Sequence, residues 1–188
     1  MKHLILASAS PRRRQLLQTL GLPFSVCPAR GEELLPPGTD PARAALALAV
    51  QKAEEVFASH PGDLVLGADT VVAFGGKLLG KPASREEAFA MLSALSGRTH
   101  LVTTGVCLKG PDLDLRDAET ARVTFRPWTE AEIFRYIDTG SPFDKAGGYG
   151  IQDPDGPVLS FEGHFDNIMG LPLSLPLFGR LSGLLEGN

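Results

Sequence analysis

The chain has 188 residues, 43% hydrophobic and 21% charged, with a formal net charge of −4. That length suits one domain or two small lobes, and the apolar fraction suffices for a proper core. The acidic balance and the 7% aromatic content argue against a broad nucleic-acid surface or an RNA-binding module.

Taken in order, "HLILAS" over 3–8 is a short apolar run ending in small residues, which reads as a buried strand. "PRRRQLLQTLG" follows as a helix, with Ser10 as N-cap, Pro11 as first helical residue and Gly21 as its stop. "FSVCPA" reads as a second strand, and "RGEELLPPGTDP" over 30–41 as a loop. Asp40-Pro41 opens a long helix to about Ser59, with Ala45, Ala49, Lys52 and Val56 on one line. Residues 63–82 read as a strand, then a strand pair turning at Gly75-Gly76. A helix over 84–97 carries a capping box of Ser84 and Glu87. "THLVTTGVCLKG" and "DAETARVTFRPW" are two strands around a 110–117 loop, and Thr129 with Glu132 caps a helix stopped by Gly140. After 158 come a short strand and "GLPLSLPLFGRLSGLLEGN", where Pro172 and Pro176 blur the start of the last helix. Helices and strands alternate in the first half and a strand pair sits in the middle, so the fold class is α/β with a mixed sheet.

Two cysteines, Cys27 and Cys107, stand outside any CxxC, and four histidines show no ligand spacing. No stretch reaches the roughly 18 apolar residues of a membrane span, and no secretory leader pattern opens the chain. A cytoplasmic protein is expected.

The chemistry begins at Arg12, Arg13 and Arg14. Cations in the first turn of a helix oppose its dipole. A multiply charged anion bound there reverses that preference, since free N–H groups and guanidinium forks both match phosphate oxygens. Ser8 and Ser10 add hydroxyl donors, and their small neighbours let a ligand approach. The alternative is a solvated basic turn. Asp69 follows the apolar run "LVLGA". It either caps a turn or, at a strand end, holds a divalent cation or takes a proton from water. Thr70 beside it can hydrogen-bond a substrate. Lys52 either snorkels over apolar surface or faces the site. Lys81, in "LGKP", is a surface lysine or a phosphate partner, and Glu32 and Glu33 are a solvated acidic pair or further carboxylates. The loop "TGSPFDKAGGYGIQD" over 139–153 has glycine-rich geometry, opposite charges at Asp144 and Lys145, and an amide at Gln152 able to read a base edge. Cys27 and Cys107 lie in apolar runs and read as core, and no serine stands in a GxSxG elbow. With no covalent nucleophile, the set points to metal-assisted attack of water on a phosphoanhydride.

The segments "LASASPRRRQLL", "GADTVV", "LGKP", "LSGRTH", "DKAGGYGIQ" and "NIMGLPL" resemble the Maf family of nucleoside triphosphate pyrophosphatases, in that family's order from residue 6 to about 173. "DKAGGYGIQ" looks like the subgroup acting on dTTP and UTP. The resemblance implies one domain over 1–188, an elongated mixed sheet with flanking helices and two lobes around a cleft, similar to inosine triphosphate pyrophosphatase. It implies hydrolysis to the monophosphate plus pyrophosphate with a divalent cation, Mg or Mn. The implied roles are Asp69 as general base, Arg12, Thr70 and Gln152 in substrate choice, Arg13, Glu33, Lys52, Lys81 and Lys145 lining the cleft, and Ser8 in the phosphate-facing turn. The mechanism expected on that basis has Glu33 and Asp69 hold the metal, with Asp69 alternatively orienting the attacking water. A house-cleaning role on nucleotide pools, modified pyrimidine triphosphates included, a homodimer, and a link to septum formation are implied as well. The sequence departs from the family pattern at Asp153-Pro154, where glycine is expected after Gln152, and at Arg14, where lysine is common. The rival reading is a nucleotide-binding regulator of cell division that does not hydrolyse its ligand.

Overall fold

The computed structural model describes residues 2–35 and 38–186. Pro36 and Pro37 of the expected 30–41 loop, and Gly187 and Asn188 of the tail, lie outside the described residues.

The first strand, β1 (Leu4–Leu6), is followed by α1 (Pro11–Gln18), β2 (Phe24–Val26), α2 (Pro41–Ser59) and β3 (Leu64–Phe74). β4 (Lys77–Leu79), α3 (Arg85–Leu95), β5 (Thr99–Gly110), β6 (Leu113–Phe125) and α4 (Glu130–Asp138) come next. Two 3-10 turns then lead to β7 (Val158–Glu162), α5 (Phe165–Met169), α6 (Pro176–Gly179) and α7 (Leu181–Glu186). One sheet holds the seven strands in the order β2-β1-β3-β5-β6-β7, with β4 on β3. β1 pairs parallel with both β2 and β3, and β3–β4 and β6–β7 are antiparallel. The mixed α/β architecture is the one the sequence pattern predicts.

The chain divides into two compact units. One comprises Met1–Thr70, Thr104–Glu119 and His164–Asn188, and the other Val71–Thr103 and Thr120–Gly163. In the first unit the alternation of the pleat sorts side chains to two faces. Leu64, Leu66 and Ala68 of β3 join Leu4, Leu6, Leu17, Leu171 and the apolar residues of α6 and α7. Val65 instead joins Ile5, Ala7, Ala49, Ala53, Val56 and Cys107. α2 therefore covers one face, and α1 with the C-terminal helices covers the other. The α2 face is packed to backbone contact. A Cβ on Gly67 would lie 2.2 Å from the Ala49 carbonyl oxygen, and one on Gly105 2.5 Å from Ala45 C. Glycine at these two strand positions, against alanines on the helix, is what lets α2 sit so close.

β2 and β3 flank β1 on opposite sides, so the chain leaves β1 in one direction and returns in the other. In open α/β sheets ligands bind beyond the carboxyl ends of strands at such a reversal. β1 stops at Leu6, in register with Leu66, whereas β3 runs on to Phe74. Residues 67–70 of β3 thus lie past the end of β1, beside the turn that enters α1.

In the second unit, Phe89 of α3 stacks on Phe134 of α4 with centroids 4.6 Å apart. His100, Phe125 and Tyr149 pack edge to face around a buried His100 Nε2···Tyr149 OH hydrogen bond of 2.7 Å.

Several expectations are corrected. β3 is one unbroken strand through Asp69, so that carboxylate does not stand at a strand end. The 110–117 loop contracts to a turn at Pro111-Asp112, because β6 begins at Leu113. At α3 the Ser84 hydroxyl accepts from Glu87 N–H, but Glu87 returns its carboxylate to Ala83 N–H rather than to Ser84. The Thr129–Glu132 box of α4 closes both ways. Cys107 is buried and burial pushes its thiol up to about 11, whereas Cys27 is only half-buried. No helix among the described residues is long and apolar enough to cross a membrane.

Candidate active site

The first unit assembles two clusters on the two faces of β3. Consecutive strand residues point to opposite faces, so Asp69 shares the α2 face with Gly67 and Thr70 shares the α1 face with Ala68.

On the α1 face, Ser10 caps the helix by accepting from Arg13 N–H, as the sequence predicts. The Arg13 side chain turns inward. Nε donates to the Gly170 carbonyl at 2.8 Å, Nη1 to Ser8 Oγ at 3.1 Å and Nη2 to Thr70 Oγ1 at 3.0 Å. Three of its five N–H groups are therefore held by the protein. Burial pushes the guanidinium pKa down, Asp69 and Glu33 oppose that shift, and Arg12 adds to it. Those groups are thus in electrostatic reach of one another. Ser8, buried, accepts from Ser10 N–H at 3.2 Å and from Arg13. With both lone pairs used, what it has left to offer an anion is its O–H. Thr70 Oγ1 lies 2.8 Å from Thr104 Oγ1, and Thr104 bonds to Asn167. Gly170, at φ +108°, would place a Cβ 3.1 Å from Thr70 Oγ1, so glycine leaves room for this network.

On the α2 face, Lys52 Nζ binds Asp69 Oδ1 and reaches Glu33 Oε1 at 2.8 Å. Asp69 is 8% exposed. A carboxylate that deep requires a partner, and α2 supplies it one turn past the Ala49–Gly67 contact. Arg12 is half-buried and Arg14 exposed on α1.

Lys81, Lys145 and Gln152 belong to the second unit. Lys81 is exposed between β4 and α3, and Gln152 is exposed in the turn before β7. Lys145 Nζ donates to the Ser141 carbonyl and hydroxyl, both at 2.8 Å, and to Asp144 at 2.7 Å. Its amine organises the 139–153 loop. Asp153, the residue out of pattern, is that loop's hub. Its Oδ2 accepts from Tyr136 OH at 2.5 Å, from Ser141 Oγ, and from Gly150 N–H at 3.2 Å.

Sequence reasoning missed Thr104, Asn167 and Gly170, and marked Asp153 only as a departure from pattern. The polar pair Thr103-Thr104 in the middle of an apolar strand was the available signal for Thr104, since a buried hydroxyl needs a partner. Among the described residues no group of three or more His, Cys, Asp or Glu side chains could hold a metal ion. The donors at hand are the two carboxylates, Glu33 and Asp69, that share Lys52.

Residues 3–178 match the family model described as Maf-like protein. The chain belongs to the Maf-like protein family. Three curated relatives carry the name dTTP/UTP pyrophosphatase. That of Thermomicrobium roseum is 53% identical over 174 residues, covering 92% of this chain and 80% of the relative. That of Deinococcus radiodurans is 50% identical over 174 residues, covering 92% and 89%. That of Koribacter versatilis is 48% identical over 172 residues, covering 91% and 89%. Among solved structures, a HAM1 protein from Coxiella burnetii is 18% identical with a TM-score of 0.45, covering 66% of this chain and 73% of that one.

Proposed function

We propose that this Maf-like protein hydrolyses dTTP and UTP between the α and β phosphates, giving the monophosphate and pyrophosphate. The observation that carries the reading is identity of about half, over nine tenths of the chain, to proteins named for that activity. The two clusters supply groups of the right kind. Arg12, the N-terminus of α1 and the Ser8 hydroxyl present cations and donors to a triphosphate. Arg13, tied to Ser8 and Thr70, keeps that turn in shape. Asp69 Oδ1 is held by Lys52, and its other oxygen takes the proton of the attacking water. Water oxygen bonds to the α-phosphorus, the bond to the α,β-bridging oxygen breaks, and its electron pair leaves with pyrophosphate. Glu33 and Asp69 meet the test for a hard divalent cation that takes its remaining ligands from phosphate and water, because they already converge on one cationic atom, Lys52 Nζ. Such an ion, Mg²⁺ or Mn²⁺, would neutralise charge on the departing pyrophosphate. Lys81 and Gln152, exposed in the second unit, carry groups that suit phosphate and a base edge, whereas the Lys145 amine is taken up by Ser141 and Asp144.

The test is product analysis after incubation with dTTP or UTP and Mg²⁺. Monophosphate with pyrophosphate is expected, and diphosphate with phosphate would overturn the bond assignment. Tight nucleotide binding with no product would favour the non-hydrolysing regulator.

A further inference from the structure

Glu33 sits in a stretch, 27–35, that belongs to no helix or strand. Backbone groups there have no ladder to join, so side chains or water must satisfy them. α2 supplies two such side chains. Glu55 takes Arg30 N–H at 2.7 Å on one carboxylate oxygen and Gly31 N–H at 2.9 Å on the other. Gln51, one turn earlier, accepts from Leu34 N–H at 3.2 Å and donates from Nε2 to the Leu34 carbonyl at 2.7 Å. Residues four apart share a helix face, so the two side chains grip the loop on either side of Glu33. Gly31 suits this grip, because a Cβ there would stand 2.7 Å from Glu55 Oε2. Leu34 is 64% exposed, so burial of its side chain does not hold the loop. Nor does the Lys52–Glu33 pair by itself, because the Glu33 side chain is 56% exposed and such pairs gain little.

We propose that Gln51 and Glu55 are positioning residues, which clamp the 30–34 backbone to α2 and thereby hold the Glu33 carboxylate at the Lys52–Asp69 pair for a divalent cation. The proposal rests on the reading of Glu33 and Asp69 as that cation's protein ligands and says what keeps the first of them in place. Asp69 is fixed by β3, whereas Glu33 rides on a loop. Lys52, which both carboxylates contact, follows Gln51 directly, so clamp and site are carried by the same stretch of helix. A ligand held before the ion arrives loses little freedom when it binds. The groups that orient a metal's ligands therefore tune its affinity without touching it. Released from α2, Glu33 leaves Asp69 to hold the ion without it.

The probe is Mn²⁺, titrated into the nucleotide-free, full-length protein and read from paramagnetic broadening of the Ala68, Asp69 and Thr70 amide signals. The double variant Gln51→Met, Glu55→Met keeps side-chain length and helix propensity but removes all four bonds to the loop. Its dissociation constant for Mn²⁺ is expected to rise about tenfold. Hydrogen exchange at the Arg30, Gly31 and Leu34 amides should quicken with it. Should the double variant fail to fold, Gly31→Ala carries the same expectation, because its methyl group displaces the Glu55 carboxylate and leaves α2 intact. Added to Glu33→Ala, the double change should cost no further Mn²⁺ affinity, since the clamp acts through Glu33. A further loss there would overturn the proposal alone. So would unchanged affinity in the clamp variants where Glu33→Ala weakens it. Unchanged affinity in Glu33→Ala, or no broadening in the wild type, is a separate result that defeats the cation reading of Glu33 and the proposal with it.

Discussion

The ammonium of Lys52 rests on the carboxylate of Asp69 and extends to Glu33, joining α2, β3 and the loop before α2 through one atom. Lys52→Met removes the cation from between two carboxylates. In metal-free buffer the variant should lose about 2 kcal/mol, less than a fully buried pair would, because Glu33 is largely exposed. Added Mg²⁺ should raise its melting temperature more than that of the wild type. Equal shifts in the two proteins would show that the carboxylates do not hold a divalent cation.

Asp69→Asn keeps the shape and a contact to Lys52 but takes away the carboxylate assigned above as proton acceptor. Turnover of dTTP should drop by about 10³-fold or more, far beyond the modest fall in melting temperature expected because Lys52 loses a buried charged partner but keeps Glu33. Steady-state rates beside a thermal melt check this, and near-normal turnover would remove Asp69 from the chemistry.

Arg12 and Arg13 are adjacent yet should behave differently. Arg13→Ala strips partners from Gly170, Ser8 and Thr70 and should lower stability by about 2–4 kcal/mol. Arg13→Lys should not rescue it, because an ammonium cannot reproduce the fork. Arg12→Ala should raise KM and cost less stability than Arg13→Ala. Matching denaturation curves for the two alanine variants would contradict the inward placement of Arg13.

Gly67→Ala would push a methyl group against the Ala49 carbonyl. Relief requires α2 to move off β3, and Lys52 moves with it. A loss of about 3 kcal/mol or more is expected, with activity falling beyond what the unfolded fraction explains. Urea denaturation and rates corrected for folded protein give the two numbers.

His100 sets a pH dependence of stability. Burial pushes its pKa from 6.5 down to about 4, and among the described residues Nδ1 has no hydrogen-bond partner. Between those values the unfolded chain binds the proton and the folded one does not, so stability falls as pH drops. From pH 7 to pH 5 the loss from this group is about 2 kcal/mol. Urea titrations at the two pH values should show it, and His100→Phe should flatten that part of the slope.

Much of the first unit was legible because its signals are local. Ser10-Pro11 at a helix start, Asp40-Pro41 at the next and the apolar run before Asp69 each constrain the backbone within a few residues. The cationic turn and the acid at position 69 stand out in the sequence for the same reason. What stayed hidden depends on distant pairings. α5 has only five residues, too few for a helical period, and Asn167 and Gly170 gain meaning only against Thr104 and Arg13. A capping role and a catalytic role for Asp69 looked like alternatives because a strand was not expected to run through a carboxylate, and Lys52 is what allows it. Asp153 looked like an irregular loop edge. Its three partners are spread over 136–150, and only folding gathers them.

The pleat of β3 separates two duties that are neighbours in sequence. Position 69 answers to the helix on one side of the sheet, and position 70 to those on the other. Drift in the packing beneath one need not disturb its neighbour. The layer under Thr70 can be repacked while the Lys52 partner of Asp69 stays where α2 puts it.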